Sequence, residues 1–109
     1  MIEVTIWKND NKISSFELSG HAESGPYGYD LVCAAVSAVS FGAVNAVLEL
    51  CDIPLQIEQG KEGGFLSVEL PHSMDEKLWE KASLLFEAMI ISLKTIEREY
   101  SQFIKINVK

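Results

Sequence analysis

The feature that most restricts the fold is a regular recurrence of apolar residues near the end of the chain. These residues follow one another in steps of three and four: Leu78, Ala82, Leu85, Met89, Leu93, Ile96 and Tyr100. Such spacing places them on one face of an α-helix. Ser73 and Glu76 precede the series at the spacing of a capping box, which predicts the start of the helix. A long amphipathic helix needs a second layer to cover its apolar face.

Alternating segments elsewhere predict the β-sheet that forms this second layer. Apolar and polar residues alternate over residues 2–7, residues 9–11 supply turn chemistry, and residues 13–18 resume an extended pattern. This arrangement is typical of a β-hairpin. A second hairpin is predicted from residues 55–58 and 65–70, because the glycines between them can adopt the positive φ of a tight connection.

Two further segments complete the predicted fold. Residues 31–50 are apolar and rich in alanine but are interrupted by polar side chains, which indicates a buried helix rather than a membrane span. Residues 104–108 alternate again and predict a last strand. The predicted order is β-β-α-β-β-α-β in one domain over residues 1–109. This is a two-layer α+β fold, with two helices on a mixed or antiparallel sheet of about five strands.

The composition indicates which kind of partner and which cellular compartment to expect. The net charge of −7 disfavours nucleic acid, which binds to clustered lysines and arginines, and favours a basic partner. Cys33 and Cys51 fall at opposite ends of the predicted first helix, too far apart for a disulfide at ~1.5 Å rise per residue. Free thiols indicate a reducing compartment, so we expect a cytoplasmic protein. With no Cys-x-x-Cys motif and no closely spaced histidine pair, the sequence predicts no metal site and no cofactor.

The stretch between the second strand and the first helix carries the reactive residues. It runs from Gly20 to Ser40 with the sequence GHAESGPYGYDLVCAAVSAVS. Asp30 is a preferred N-cap residue, which places Cys33 in the first helical turn. The N–H groups and dipole of a helix N-terminus lower the pKa of a thiol, although the charge of Asp30 opposes this effect. His21 could accept the thiol proton and later protonate a leaving amine.

The loop between the histidine and the cysteine has the composition of a lid over a bound peptide. Its glycines supply hinge points and its tyrosines an aromatic surface: Gly20, Gly25, Tyr27, Gly28 and Tyr29. Ser37 lies one helical turn after Cys33 and could hydrogen-bond the thiolate, the histidine or the substrate. A simpler interpretation stays open, because a lone cysteine in an alanine-rich helix is commonly a small buried hydrophobe. Ser37 could equally be a packing residue.

The pattern G-H-A-x-x-G-x-x-G-x-D-x-V-C-A-A-V-S closely resembles the ribosomal-processing cysteine proteases of bacteria, and the resemblance extends over the whole chain. It implies an endopeptidase that removes an N-terminal extension from the twenty-seventh protein of the large ribosomal subunit. Cys33 is then the nucleophile and His21 the general base. The resemblance also implies a homodimer, a mobile loop and a substrate with a hydrophobic, phenylalanine-rich segment before the scissile bond. Asp30 would act as a third catalytic member or only as a cap.

Two other classes of function compete with the protease. A non-enzymatic ribosome-assembly module would bind a hydrophobic peptide with the glycine-rich loop and would not need its cysteine. A thiol-based acyltransferase or redox protein would use Cys33 differently. A redox role needs a resolving cysteine nearby, and Cys51 lies too far along the same predicted helix.

Overall fold

The fold is described by a computed structural model, which covers residues 1–21, 31–61 and 64–109. Its five strands and two helices follow the predicted order, and both predicted hairpins are confirmed. The elements are β1 (Ile2–Asn9), β2 (Lys12–Ser19), α1 (Leu31–Cys51), β3 (Gln56–Gln59), β4 (Phe65–Glu69), α2 (Glu76–Glu99) and β5 (Ile104–Val108). The predicted α+β class is therefore correct.

The strands form one mixed sheet in the order β3-β4-β2-β1-β5. Neighbouring strands are antiparallel except β1 and β5, which run parallel. The β1–β2 hairpin turns through Asp10 and Asn11, whose φ values of 53° and 64° are ones that Asp and Asn tolerate better than most residues. Between β4 and β5 the chain crosses the sheet through α2, and such a crossover allows a parallel pair beside β1.

In the hydrophobic core, α2 packs against the first hairpin. Phe16 of β2 and Phe86 of α2 are fully buried and meet edge to face, with ring centroids 5.0 Å apart. Such a pair adds about 0.5–1.5 kcal/mol beyond area burial. Side chains of α2 also satisfy the backbone of Ile13, beside a register shift in the hairpin. The Ile13 N–H donates to Ser83 Oγ at 3.0 Å, and Trp79 Nε1 donates to the Ile13 carbonyl at 2.8 Å.

The start of α2 differs from the prediction. The helix begins at Glu76, and its N-cap is Asp75, whose carboxylate accepts the Leu78 N–H at 3.3 Å. The capping box beginning at Ser73 is therefore wrong. Asp75 stands three residues before Leu78, the position from which a cap side chain reaches the orphan N–H of the first turn.

The predicted apolar face of α2 is confirmed at its centre and differs at its edges. The buried residues are Ala82, Ser83, Phe86, Met89, Ile90 and Leu93. Leu78, Leu85 and Ile96 pack against the core but are only partly buried. Tyr100 is the C-cap and is 44% exposed, so it does not belong to the core face.

Helix α1 contributes one stripe to the core and exposes its other face. The buried stripe consists of Val32, Val36, Ser40, Val44, Val47 and Cys51. Phe41 and Leu48, by contrast, are more than a third exposed, so the predicted buried helix is buried on one side only. By length and composition alone α1 could cross a membrane. Here its valines share a hydrophobic core with the sheet and α2.

Candidate active site

A cavity of about 340 Å³ opens where the end of β2, the first half of α1 and the β3–β4 hairpin meet. His21, Cys33 and Ser37 all line it. Its apolar wall comes from α1 and β4 and consists of Val36, Phe41, Phe65 and Leu66. The structure thus brings the predicted nucleophile and the predicted base to one concave and largely apolar site.

The main chain at His21 is held from two sides. Gly20, at a φ of +96°, donates its N–H to the Gly64 carbonyl at 2.8 Å. The Met1 nitrogen donates to the His21 carbonyl at 2.8 Å. A Cβ at residue 20 would collide with the Met1 carbonyl oxygen, so both the space and the backbone conformation require glycine there. The structure therefore gives Gly20 a role at the end of β2, and its predicted role as a loop hinge stays a prediction.

Cys33 lies in the first turn of α1 and is partly buried. Orphan N–H groups and the helix dipole favour an anion at this end, and the first turn of α1 itself carries no acidic side chain. Ser37, one turn later, is exposed at the cavity. Cys33 is therefore accessible from the cavity, and its role as nucleophile stays a prediction. Cys51, at the far end of the helix, is buried as expected of a structural residue.

Several predicted site residues lie outside the described residues. They are Gly25, Tyr27, Gly28, Tyr29 and Asp30. Their proposed roles as hinges, aromatic surface and helix cap therefore stay predictions. Among the residues that the structure describes, no group of three or more His, Cys, Asp or Glu side chains could hold a metal ion.

The second hairpin and a buried serine also contribute to the cavity, and neither contribution was predicted from the sequence. Phe65 and Gly64 line the cavity from β4 and the turn before it. Ser40, to which the sequence assigned no role in the site, lines the same cavity and is 1% exposed. No described residue hydrogen-bonds its hydroxyl. Of these contributions, the sequence could have indicated only the one from Gly64. Residue 64 follows another glycine, and paired glycines commonly mark a turn with a special backbone conformation.

Comparison with known proteins identifies the family to which this site belongs. The profile of a family described as cysteine protease Prp matches residues 1–105. The chain belongs to the Prp family of cysteine proteases. A ribosomal processing cysteine protease Prp from Bacillus subtilis is 47% identical over 107 residues, which cover 97% of this chain and 96% of that protein.

Solved structures of a Prp protease share the fold throughout. The ribosomal processing protease Prp from S. aureus, in complex with a covalently linked product peptide, matches with a TM-score of 0.89 at 38% identity. The same protease in complex with a substrate peptide matches with a TM-score of 0.83 at 37% identity. Each match covers 100% of both chains. The protein described here is therefore a cysteine protease, and the resemblance drawn from the Gly20–Ser37 motif is confirmed.

Proposed function

We propose that this protease removes the N-terminal extension of the twenty-seventh protein of the large ribosomal subunit, with Cys33 as nucleophile and His21 as general base. The observation that carries the proposal is the joint position of His21 and Cys33 on one cavity at the N-terminus of α1. The relatives' names, ribosomal processing cysteine protease, support the class of substrate. The covalently linked product peptide of the S. aureus relative is consistent with a covalent intermediate.

In the proposed mechanism Cys33 forms the covalent bond to the substrate and His21 transfers the proton. The Cys33 thiolate attacks the peptide carbonyl carbon and forms a C–S bond. His21 has taken the thiol proton and gives it to the departing amine as the C–N bond breaks. Water then adds to the thioester, the C–S bond breaks, and the product carboxylic acid leaves. Backbone N–H groups around Cys33 are the proposed donors to the oxyanion, and Ser37 is a candidate to bond the thiolate or the substrate.

The cavity suits a hydrophobic segment before the scissile bond. Phe41 and Phe65 supply aromatic wall, and Val36 and Leu66 supply aliphatic wall. Aromatic side chains of a phenylalanine-rich extension would bury apolar area against these walls, which contributes about 25 cal/mol per Å². The net charge of −7 would draw in a basic ribosomal protein.

We also propose that the protease acts in the cytoplasm as a homodimer. Leu50, Leu84 and Ile91, on the two helices, are 75%, 70% and 67% exposed. Leu84 and Ile91 stand seven residues apart and so share one face of α2, and contiguous exposed apolar surface marks interaction sites. Sedimentation of the wild type and of an Ile91→Glu variant tests this assembly: a dimer that Ile91→Glu converts to monomer supports it, and a wild-type monomer contradicts it.

The decisive experiment for the nucleophile compares the two cysteines. Wild type, Cys33→Ala and Cys51→Ala are incubated with a peptide spanning a phenylalanine-rich ribosomal-protein extension, and products are identified by mass spectrometry. We expect cleavage at one bond by the wild type and Cys51→Ala, and none by Cys33→Ala. If no protein cleaves and all bind the peptide equally, the peptide-binding module replaces the protease activity proposed at this site.

The two histidines allow a matched test of the general base. His72 lies outside the cavity, and its side chain is 92% exposed. We expect His21→Ala to lower kcat by about 10²- to 10⁴-fold, the usual contribution of general acid–base catalysis. His72→Ala should keep the wild-type rate. Equal rates for the two variants would remove His21 from the mechanism.

A further inference from the structure

Gly64 lies directly against the imidazole of His21, although the two residues are far apart in sequence. A Cβ at residue 64 would stand 2.5 Å from Nε2 of His21, 3.0 Å from Cε1 and 3.1 Å from Cδ2. These distances are well inside the roughly 3.5–4.0 Å at which nonbonded heavy atoms attract one another. The imidazole therefore occupies the space that any other residue at position 64 would fill.

Gly64 also holds the backbone that carries this ring. Its carbonyl accepts the Gly20 N–H at 2.8 Å, immediately before His21, and the Met1 nitrogen holds the His21 carbonyl from the other side. With the main chain held in this way, the position of the imidazole depends on its own side-chain torsions. Gly64 sets the limit of that movement on one side.

We propose that Gly64 is a positioning residue for His21: its lack of a side chain seats the imidazole at the cavity that Cys33 lines. The inference rests on the proposed role of His21 as general base. Because His21 is exposed, a Cβ at residue 64 would push the ring out of its seat and leave the hairpin in place. The expected damage is therefore to the geometry of catalysis and not to the fold.

The positive φ of Gly64, +75°, offers a competing reason for glycine at this position. The two reasons can be separated, because asparagine tolerates a positive φ better than other residues and yet carries a Cβ. Gly64→Asn is therefore the main variant, because it adds a Cβ with little backbone strain. Gly64→Ala adds both a Cβ and the strain of a positive φ. Gly42→Ala is the matched glycine control, since a Cβ there meets nothing within 4 Å outside its own helix among the described residues.

The first readout is the steady-state kinetics of peptide cleavage, with thermal unfolding recorded for each variant to verify the fold. We expect Gly64→Asn to lower kcat by about 10²-fold, the cost of a displacement of about 1 Å in a catalytic group. KM should change less than kcat, because the substitution adds one side chain at the cavity edge but leaves the apolar walls from Val36, Phe41, Phe65 and Leu66 in place. Gly42→Ala should keep both constants. A folded Gly64→Asn variant with the wild-type kcat would overturn the proposal.

The second readout does not depend on any peptide. In a Cys51→Ala background, the alkylation rate of Cys33 by iodoacetamide is followed against pH. An imidazole that accepts the Cys33 proton should keep the alkylation rate high well below the ordinary thiol pKa of about 8.5. We expect His21→Ala and Gly64→Asn to lose this low-pH reactivity alike, and the double variant to lose no more than His21→Ala alone. A further loss in the double variant would mean that Gly64 acts on the fold and not through His21.

The two readouts separate this proposal from the proposed function. If Cys33 alkylation depends on His21 and on Gly64 but no ribosomal extension is cut, the substrate is wrong and the seat for His21 stands. If the wild type cuts the extension and Gly64→Asn cuts it equally well, the function stands and the role of Gly64 is refuted. Alkylation that is independent of His21 also refutes it, because there is then no ring for Gly64 to position.

Discussion

Two buried serines, one in each helix, should respond in opposite directions to the same substitution. Ser40 of α1 is 1% exposed, and no described residue hydrogen-bonds its hydroxyl. Ser83 of α2 is 6% exposed, and its hydroxyl accepts the Ile13 N–H at 3.0 Å. Replacement by alanine removes an oxygen atom from a helix interior in both cases. The partner of that oxygen decides the effect on stability.

The magnitudes follow from the cost of an unsatisfied polar group. A buried hydroxyl without a partner costs about 1–3 kcal/mol, so Ser40→Ala should raise the free energy of unfolding by about 1 kcal/mol after the loss of packing. Alanine also has the higher helix propensity. Ser83→Ala leaves the Ile13 N–H buried and unpaired, which should lower the free energy of unfolding by about 1–3 kcal/mol. The two variants should therefore differ by about 2–4 kcal/mol.

Urea denaturation of the wild type and both variants measures these differences, provided that the slope of free energy against urea concentration is the same for all three. In thermal unfolding, the midpoint of Ser40→Ala should rise by about 4 °C for a chain of this size. A Ser40→Ala variant that is less stable than the wild type would refute the reasoning, because it would show that the hydroxyl has a favourable partner. Equal destabilisation by both substitutions would refute it as well.

Three further predictions concern the N-cap of α2, its core face and its ion pair with β2. Asp75→Ala should lower the free energy of unfolding by about 1 kcal/mol, because the N-cap is lost, whereas Ser73→Ala should leave it unchanged. If the urea midpoint fell for Ser73→Ala and not for Asp75→Ala, Ser73 would be the cap after all. Phe86→Ala should cost about 3–5 kcal/mol in the same assay, because it empties the buried edge-to-face contact; a loss below 1 kcal/mol would contradict the assigned core. Hydrogen bonding to Glu76 raises the pKa of Lys12 above 10.5, so its stabilisation is present below pH 10.5 and is lost as the pH rises through the higher folded value. Urea midpoints should thus fall more steeply with alkaline pH for the wild type than for Lys12→Met, and parallel curves would contradict this linkage.

The predicted nucleophile lies where the start of α1 borders the cavity. Orphan N–H groups at the first turn of a helix favour an anion, and Cys33 lies in the first turn of α1. The same helix presents Val36 and Phe41 to the cavity, so α1 carries both the predicted nucleophile and part of the apolar wall. His21, the predicted base, lines the same cavity just after the end of β2.

Local pattern was sufficient to predict the elements and the reactive pair. Helix α2, both hairpins and the last strand follow from periodicity, because the spacing of apolar residues reflects which face of an element is buried. The motif from Gly20 to Ser37 indicated the family without coordinates, and it predicts Cys33 and His21 as the reactive pair. The cap of α2 was misjudged by two residues, since Ser73 and Asp75 are both preferred caps and the surrounding chain decides between them.

The contacts between segments that are distant in sequence were decided only by the tertiary structure. The parallel pairing of β5 with β1, the hydrogen bonds from α2 to Ile13, and the position of Gly64 under the imidazole all join residues that are remote in sequence. No periodicity records such contacts, because they depend on how complete elements pack. The sequence by itself determined which residues could react and which elements would form. Packing of the second hairpin against the end of β2 decided where the imidazole sits and what walls the cavity.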